Sequence, residues 1–322
     1  MNLSIIIPAY NESKNILDTI IEIKSILETI PEITLTEIIV VDDHSSDNTF
    51  DIVVQLADEQ IKCFRLSKRS GSHTAVRAGL TIVSGDAVIA LSADGQDDPN
   101  SFREMVNKNI NGAKVVWALR KNRDNEPWYI KIPALLFYKV FFSIGNIENN
   151  GIDLSRADFF LLDRVVINAL NQTPERNTSL SGLIAWLGFK QDFVEYDRRD
   201  RKSGRSKWSF RSRMRLAKDW IIAFSGLPLK MMPVLGILIA SLGFLYAVVV
   251  ILNALIGNPT GGWSSLMVVA LILGGTQIIM LGIIGEYLWR NLDESRRRPL
   301  FFIEKSSYMK DSNNLLSTLD KK

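Results

Sequence analysis

The chain has 322 residues but only one cysteine, Cys63, and two histidines, His44 and His73. A lone cysteine excludes an internal disulfide. So few His and Cys residues exclude a zinc site built from them. No Gly-x-Gly-x-x-Gly follows the first apolar run, and no Walker-type lysine loop occurs. A dinucleotide dehydrogenase and a P-loop enzyme are therefore disfavoured. The apolar run at Ser4–Ile7 is too short for a signal peptide and meets Pro8, so none is expected.

Charge is missing from one long stretch. Met231 to Gly285, 55 residues, contains no Asp, Glu, Lys, Arg or His. It divides at Gly257-Asn258-Pro259-Thr260-Gly261-Gly262 into two halves, each longer than the ~20 apolar residues needed to cross a bilayer. The expectation is a transmembrane hairpin at about 232–256 and 263–287, within a segment 230–290. The alternative is a helical pair buried in a soluble core, but helices apolar on every side usually face lipid. The outer flanks carry Lys230 on one side and Arg290, Arg296, Arg297 and Arg298 on the other. The positive-inside rule puts both flanks, and the N-terminal domain, in the cytoplasm. Gly274, Gly275 and Gly282 would permit close helix contact.

Net charge is only +3, yet Tyr196 to Lys230 holds 11 Lys/Arg against 3 Asp/Glu. That concentration suits a polyanion or a membrane surface. A nucleic-acid partner would explain the basic stretch but not the apolar hairpin, so none is expected. Phe210, Met214, Ala217, Ile221 and Phe224 share one helical face, with basic residues around the others. Residues 209–229 read as an amphipathic helix lying in the membrane interface, or as a surface helix packed on the domain. Residues 291–322 read as a cytoplasmic tail, polar and loosely ordered beyond Glu304.

The first 208 residues alternate strands and helices. Strands are expected at Leu3–Pro8, Thr36–Val41, Ile61–Leu66, Ala87–Leu91 and Lys114–Leu119. Helices are expected at Ser13–Thr29, Asp47–Glu59, His73–Val83 and Ser101–Asn111. This order predicts an α/β domain with a mostly parallel, helix-covered sheet. Ligands in such sheets bind at the C-terminal ends of the strands. Those ends carry Tyr10-Asn11-Glu12, Asp42-Asp43, Ser67-Lys68 and the run Ser92-Ala93-Asp94-Gly95-Gln96-Asp97-Asp98. Clustered carboxylates repel unless a cation or donor-rich ligand joins them. Oxygen ligands of this kind suit Mg²⁺ or Mn²⁺ shared with substrate phosphates. A solvated acidic turn capping the next helix is the other reading. Asp43 is placed to accept hydrogen bonds from a ribose or base edge, and Asp47 to cap the following helix.

These motifs together carry a resemblance. Ile6-Ile7-Pro8-Ala9-Tyr10-Asn11-Glu12, Val40-Val41-Asp42-Asp43-His44-Ser45-Ser46-Asp47-Asn48-Thr49 and Ala93-Asp94-Gly95-Gln96-Asp97 resemble family 2 glycosyltransferases, which have a GT-A fold. The whole chain to about residue 300 looks like the polyprenyl-phosphate glycosyltransferases, relatives of dolichol-phosphate mannose synthase. Its closer match is to bacterial members that load a sugar onto undecaprenyl phosphate. The ending Gly285-Glu286-Tyr287-Leu288-Trp289-Arg290 is of their type.

The resemblance implies that Pro8, Tyr10, Glu12, Asp43 and Asp94 hold the nucleotide. It implies that Asp94 and Gln96 bind the divalent metal. Arg201 and Lys207, in Arg201-Lys202-Ser203-Gly204-Arg205-Ser206-Lys207, would clamp phosphates; attraction to anionic lipid is a compatible role. Arg120 and Arg123 resemble acceptor-phosphate arginines, or are exposed loop arginines. Asp158 keeps a carboxylate assigned to the acceptor side.

Departures from the pattern are also visible. The family has Asp-x-Asp at the metal, and Ser92 stands at the first position; its hydroxyl can still coordinate, without charge. The family's Gly-Asp-Phe-Arg reads Ala157-Asp158-Phe159-Phe160. If that segment is extended, Arg156, Asp158 and residue 160 share a face, and Arg156 would supply the missing cation. His44 stands where many relatives have glycine.

The implied reaction is inverting transfer of a sugar from a nucleoside diphosphate sugar, a UDP-hexose, to undecaprenyl phosphate for a cell-surface glycan. The implied location is the bacterial inner membrane, with a homo-oligomer formed through the membrane helices. A processive polysaccharide synthase would carry Gln-x-x-Arg-Trp, which is absent. A non-catalytic lipid- or protein-binding member is the reading from another class, motivated by Ser92 and Phe160.

Overall fold

The structure, a computed structural model, describes residues 1–121, 152–173, 175–176, 178–199, 227–256 and 262–307. The described residues fall into two compact units, the first drawn from 1–213 and 299–322 and the second from 214–298.

The first unit is built on strands β1 (Asn2–Ala9), β2 (Thr34–Asp42), β3 (Ile61–Leu66), β4 (Ala87–Ala90), β5 (Val115–Arg120), β6 (Ala157–Asp163), β7 (Gln191–Tyr196) and β8 (Ile303–Ser306). They lie in one sheet in the order β7-β5-β6-β4-β1-β2-β3-β8. Six strands run one way. Only β6, antiparallel to β4 and β5, and β8, antiparallel to β3, run the other way. The expected mostly parallel sheet is therefore present. Helices α1 (Ile16–Leu27), α2 (Thr49–Gln55), α3 (Ser72–Leu80), α4 (Phe102–Ile110), α5 (Arg164–Gln172) and α6 (Leu180–Trp186) complete the unit.

Its packing follows from the period of the apolar residues. In α1, Ile16, Thr19, Ile20, Ile23 and Leu27 are buried, a helical stripe. They pack with Leu3, Ile5, Ile7 and Ala9, alternate residues of β1, and with Phe102, Met105 and Val106 of α4. On the opposite face α3 comes close over Ile6. A Cβ at Gly79 would lie 2.9 Å from Ile6 Cγ2, so a glycine permits that approach.

Pro8 occupies a central strand without breaking the ladder. The β1–β4 pairing ends at Ile6 opposite Ala90, followed by Leu91 N–H donating to Ile6 O. Beyond that point β4 has left, so the missing Pro8 N–H has no ladder partner to lose. The sheet opens there, between the ends of β1 and β4.

The segment read as a tail contributes β8, which covers the β3 edge. Ser67 N–H donates to Phe302 O, and Cys63 N–H donates to Ser307 Oγ. An edge strand with unpaired backbone groups gains a partner this way.

The second unit contains α7 (Leu227–Leu255, 29 residues) and α8 (Trp263–Ser295, 33 residues). Met231–Asn253 and Leu266–Ser295 are long and apolar enough to cross a membrane, with mean hydropathy 2.7 and 2.4 and no burial within the protein. Those two stretches lie over the expected hairpin. α8 runs beyond Tyr287, to Ser295. A Cβ at Gly274, Gly275 or Gly282 would meet nothing within 4 Å, so these glycines mark no close helix approach among the described residues. The expected interface helix, apart from its last residues 227–229 at the start of α7, lies outside the described residues.

Candidate active site

The loops after β1 and β2 are tied to one another. Asn11, at φ 53°, accepts from Ser46 N–H through Oδ1 at 2.8 Å, and its own N–H donates to Ser45 Oγ at 2.9 Å. Asn tolerates this left-handed backbone better than most residues. Glu12 N–H donates to Thr49 Oγ1, and Glu12 Oε2 accepts from Asn15 at 2.8 Å. Asp47 accepts from Ser13 and Thr49 N–H, so it holds the entry to α2 as expected. His44 also has positive φ, 59°, which explains why a glycine suits this position; its Nδ1 lies 3.1 Å from Leu66 O.

Asp43 is buried at this edge. Its two oxygens accept from Ser70 N–H at 2.6 Å and Gly71 N–H at 2.8 Å. Burial raises its carboxyl above the usual range, against those two bonds and the Arg69 charge. The carboxylate thus shapes the loop after β3. Arg69 in that loop lies over the Tyr10 ring, 4.1 Å from its centroid. Pro8, Tyr10, Glu12 and Asp43, predicted for the nucleotide, are thereby collected at the adjacent ends of β1 and β2.

The β4 end forms the acidic part. Ser92 N–H and Oγ both lie 2.7 Å from Asp97 Oδ2, and Ser92 Oγ lies 2.8 Å from Asp94 Oδ1. Asp98 behaves differently. It caps the turn Pro99–Ser101 by accepting from Asn100 N–H. The capping reading therefore holds for Asp98, while Asp94 and Asp97 are both bonded to Ser92. Burial, then the nearby Asp158 charge, pushes Asp97 up to about 6.

Because β6 runs against its neighbours, its beginning meets this crevice. Leu119 opposes Ala157 and Ala118 opposes Phe159, so Asp158 is the extra residue of a β-bulge. Bulges re-aim side chains beside sites. Arg120 Nε lies 3.0 Å from Asp158 Oδ2, and the Tyr196 hydroxyl donates to the same oxygen at 2.6 Å. Burial and the Asp97 and Asp158 charges raise the Tyr196 phenol, keeping it a donor.

The bulge and a preceding 3₁₀ turn correct one expectation. Arg156 closes the turn Leu154–Arg156, and the strand begins one residue later. Arg156 does not share an extended face with Asp158. Its guanidinium instead reaches Glu195 at 3.0 Å and the Arg120 carbonyl at 3.2 Å. Phe160 is buried, edge-on to Trp117 with ring centroids 5.5 Å apart.

Four contributors were not singled out from the sequence: Asp97, Tyr196, Arg198 and Arg199. Arg198 Nη2 donates to Gln96 Oε1 at 2.9 Å, and Arg199 pairs with Asp98 at 2.6 Å and with Glu22. The basic stretch was visible, but its first residues clamp the acidic loop. Arg123, Arg201 and Lys207 lie outside the described residues.

The donor set can be tested against a divalent metal. No group of three or more His, Cys, Asp or Glu residues forms a ready-made cage among the described residues. Asp94, Gln96 and Ser92 offer oxygen only. Mg²⁺-type ions are commonly held by one or two carboxylates with substrate phosphates completing the shell. The residues fit a metal of that shared kind.

Residues 4–169 match the family described as Glycosyl transferase family 2. The chain belongs to this family. Over 307 residues it is 40% identical to an uncharacterized glycosyltransferase of Synechocystis, covering 94% of this chain and 95% of that one. It is 34% identical over 309 residues to the SfII prophage-derived bactoprenol glucosyl transferase of Shigella flexneri, covering 95% and 98%. The protein is thus a glycosyltransferase. Among solved structures, mannosyl-3-phosphoglycerate synthase from Rubrobacter xylanophilus matches with TM-score 0.52 and 19% identity, over 70% of this chain and 73% of that one. Glucosyl-3-phosphoglycerate synthase from Mycobacterium tuberculosis, in complex with Mn²⁺, UDP and phosphoglyceric acid, matches with TM-score 0.50 and 15% identity, over 69% and 76%. At such identities these structures establish the fold, which is of the GT-A type expected.

Proposed function

We propose that this glycosyltransferase moves a hexose from a UDP-sugar to undecaprenyl phosphate with inversion. The observation that carries this reading is the near full-length match to a bactoprenol glucosyl transferase, membrane-type helices included. In this reading residues 1–208 work on the cytoplasmic face of the bacterial inner membrane, anchored by the hairpin.

The lipid phosphate oxygen attacks the anomeric carbon in line, and the bond from that carbon to the diphosphate breaks. A phosphate monoester has its second pKa near ~6, so the nucleophile is largely dianionic at neutral pH. No strong general base is needed. Asp158 orients the acceptor side, with Arg120 beside it for the phosphate. Arg156 supports Arg120 through its carbonyl, and Arg123 joins them from sequence. Tyr10, Glu12 and Asp43 shape the nucleotide side.

The departing diphosphate requires charge stabilisation. Asp94 and Gln96, with Ser92 adjacent, would hold Mg²⁺ or Mn²⁺, which would supply neutralising charge there. Gln96 must exchange its Arg198 partner to take part. Arg201 and Lys207 add cations to the same diphosphate in this reading.

The test is product formation by detergent-purified protein. It is given undecaprenyl phosphate, Mg²⁺ or Mn²⁺, and a panel of UDP- and GDP-sugars, with Asp94→Ala as control. Mass spectrometry should find one lipid-linked sugar, lost in the variant. Transfer from no UDP-hexose, with a GDP-sugar accepted instead, would refute the donor assignment. No lipid-linked product from any donor would refute the acceptor.

A further inference from the structure

We infer that Tyr196 is a positioning residue that fixes which oxygen of Asp158 faces the acceptor. The inference rests on the acceptor-side reading of Asp158 given above. Tyr196 ends β7, is buried, and its ring meets Phe159 edge-on with centroids 5.1 Å apart. Phe159 in turn packs edge-on with Phe102 of α4 at 6.2 Å. The hydroxyl is therefore delivered by a ring that the core immobilises.

That hydroxyl donates to Asp158 Oδ2 at 2.6 Å, while Asp97 Oδ1 lies 3.4 Å away. Its single proton serves the shorter bond. Arg120 Nε lies 3.0 Å from the same Oδ2. Oδ2 is thus engaged twice. Among the described residues Oδ1 has Arg198 near it, at 3.7 Å, and it is the oxygen offered to substrate.

The two partners of Oδ2 differ in what a phosphate does to them. An incoming phosphate dianion attracts the Arg120 guanidinium. A carboxylate held by Arg120 alone would then be freed on a bulge, beside the like charge of Asp97. A neutral phenol is not drawn away. Tyr196 keeps Asp158 in place while Arg120 turns to the acceptor.

The experiment compares wild type, Tyr196→Phe, Asp158→Asn and the double variant, full length in detergent, with undecaprenyl phosphate and the accepted donor. Tyr196→Phe keeps the ring contacts but gives up a bond already made in the free fold, so it should stay folded with a Tm lower by only several degrees. Its KM for the lipid phosphate should rise roughly ten- to hundredfold, as for a lost bond to a charged group. UDP affinity by calorimetry should not change. The double variant should be no worse than Asp158→Asn, because the hydroxyl acts through that carboxylate. An unchanged acceptor KM, or a UDP affinity that falls in step, or additive losses in the double variant, each overturn the inference. Absence of transfer by wild type overturns the acceptor reading and this inference together; wild-type transfer with an unaltered Tyr196→Phe overturns this inference alone.

Discussion

Ser92 presents its backbone N–H and its hydroxyl to one oxygen of Asp97, each at 2.7 Å, and the same hydroxyl lies 2.8 Å from Asp94. A neutral donor thus stands between two carboxylates. Ser92→Asp replaces that donor with a like charge. Without metal its Tm should fall by several degrees relative to wild type, by like-charge repulsion. Saturating Mn²⁺ should then raise its Tm more than it raises that of wild type. Equal metal-dependent gains in thermal scans of the two proteins would show that position 92 does not face the metal.

Asp97 gives the site a pH signature. Its carboxyl is raised from 3.8 to about 6. Between those values the folded chain holds a proton that the unfolded chain releases, so this group's stabilising contribution is lost as pH rises through the window. Asp97→Asn has no such proton. Its stability relative to wild type should therefore climb between about pH 4 and pH 6.5 and level off above, by at most roughly 3 kcal/mol. Thermal unfolding of both proteins across that range measures the difference, and a flat difference would contradict it.

Asp43 accepts from two successive backbone N–H groups, Ser70 and Gly71. In Asp43→Asn one acceptor becomes an amide N–H₂ facing an N–H donor. A buried donor left unsatisfied costs about 1–3 kcal/mol, and the loop must shift, carrying Arg69 away from Tyr10. UDP affinity by calorimetry should drop about tenfold. An unaltered affinity would confine Asp43 to a structural role.

Glu37 lies far from the acidic crevice and is 1% exposed. It accepts from Lys62 Nζ at 2.5 Å, Ser84 N–H and hydroxyl at 2.7 Å, and Ser4 Oγ at 3.0 Å. Burial acts to raise its carboxyl, but these partners outweigh it and the net shift is downward. A depressed carboxyl contributes stability above its unfolded pKa and loses it as pH falls. Glu37→Ala leaves Lys62 without this partner and should destabilise the domain by about 3 kcal/mol. It should also flatten the acid limb of stability. Thermal scans at neutral and acid pH read both effects.

Much of the fold was legible because each signal is local. Alternating apolar runs marked the first five strands within a few residues. A chargeless 55-residue stretch marked α7 and α8. The residues of the β1, β2 and β4 ends were legible too, since a parallel sheet gathers its strand ends at one edge. The β8 strand was not. Ile303-Glu304-Lys305-Ser306 is short and polar, and only the open β3 edge makes it a strand. The Arg156 geometry failed for a similar reason. Period-two alternation assumes an unbroken strand, and a 3₁₀ turn followed by a bulge removes it.

The sequence by itself therefore determined the α/β class, the oxygen-rich loop and the membrane-type helices. All of these follow from composition and spacing along the chain, whereas the nucleotide side is what the resemblance implies. Only the tertiary structure decided which acids act together. Asp98 went to a cap while Asp97 went to Ser92, and Tyr196 met Asp158 across 38 residues. Hydrogen-bond geometry at 2.6–2.8 Å depends on how β6 and β7 lie beside β4 and β5, and residue spacing carries no measure of that.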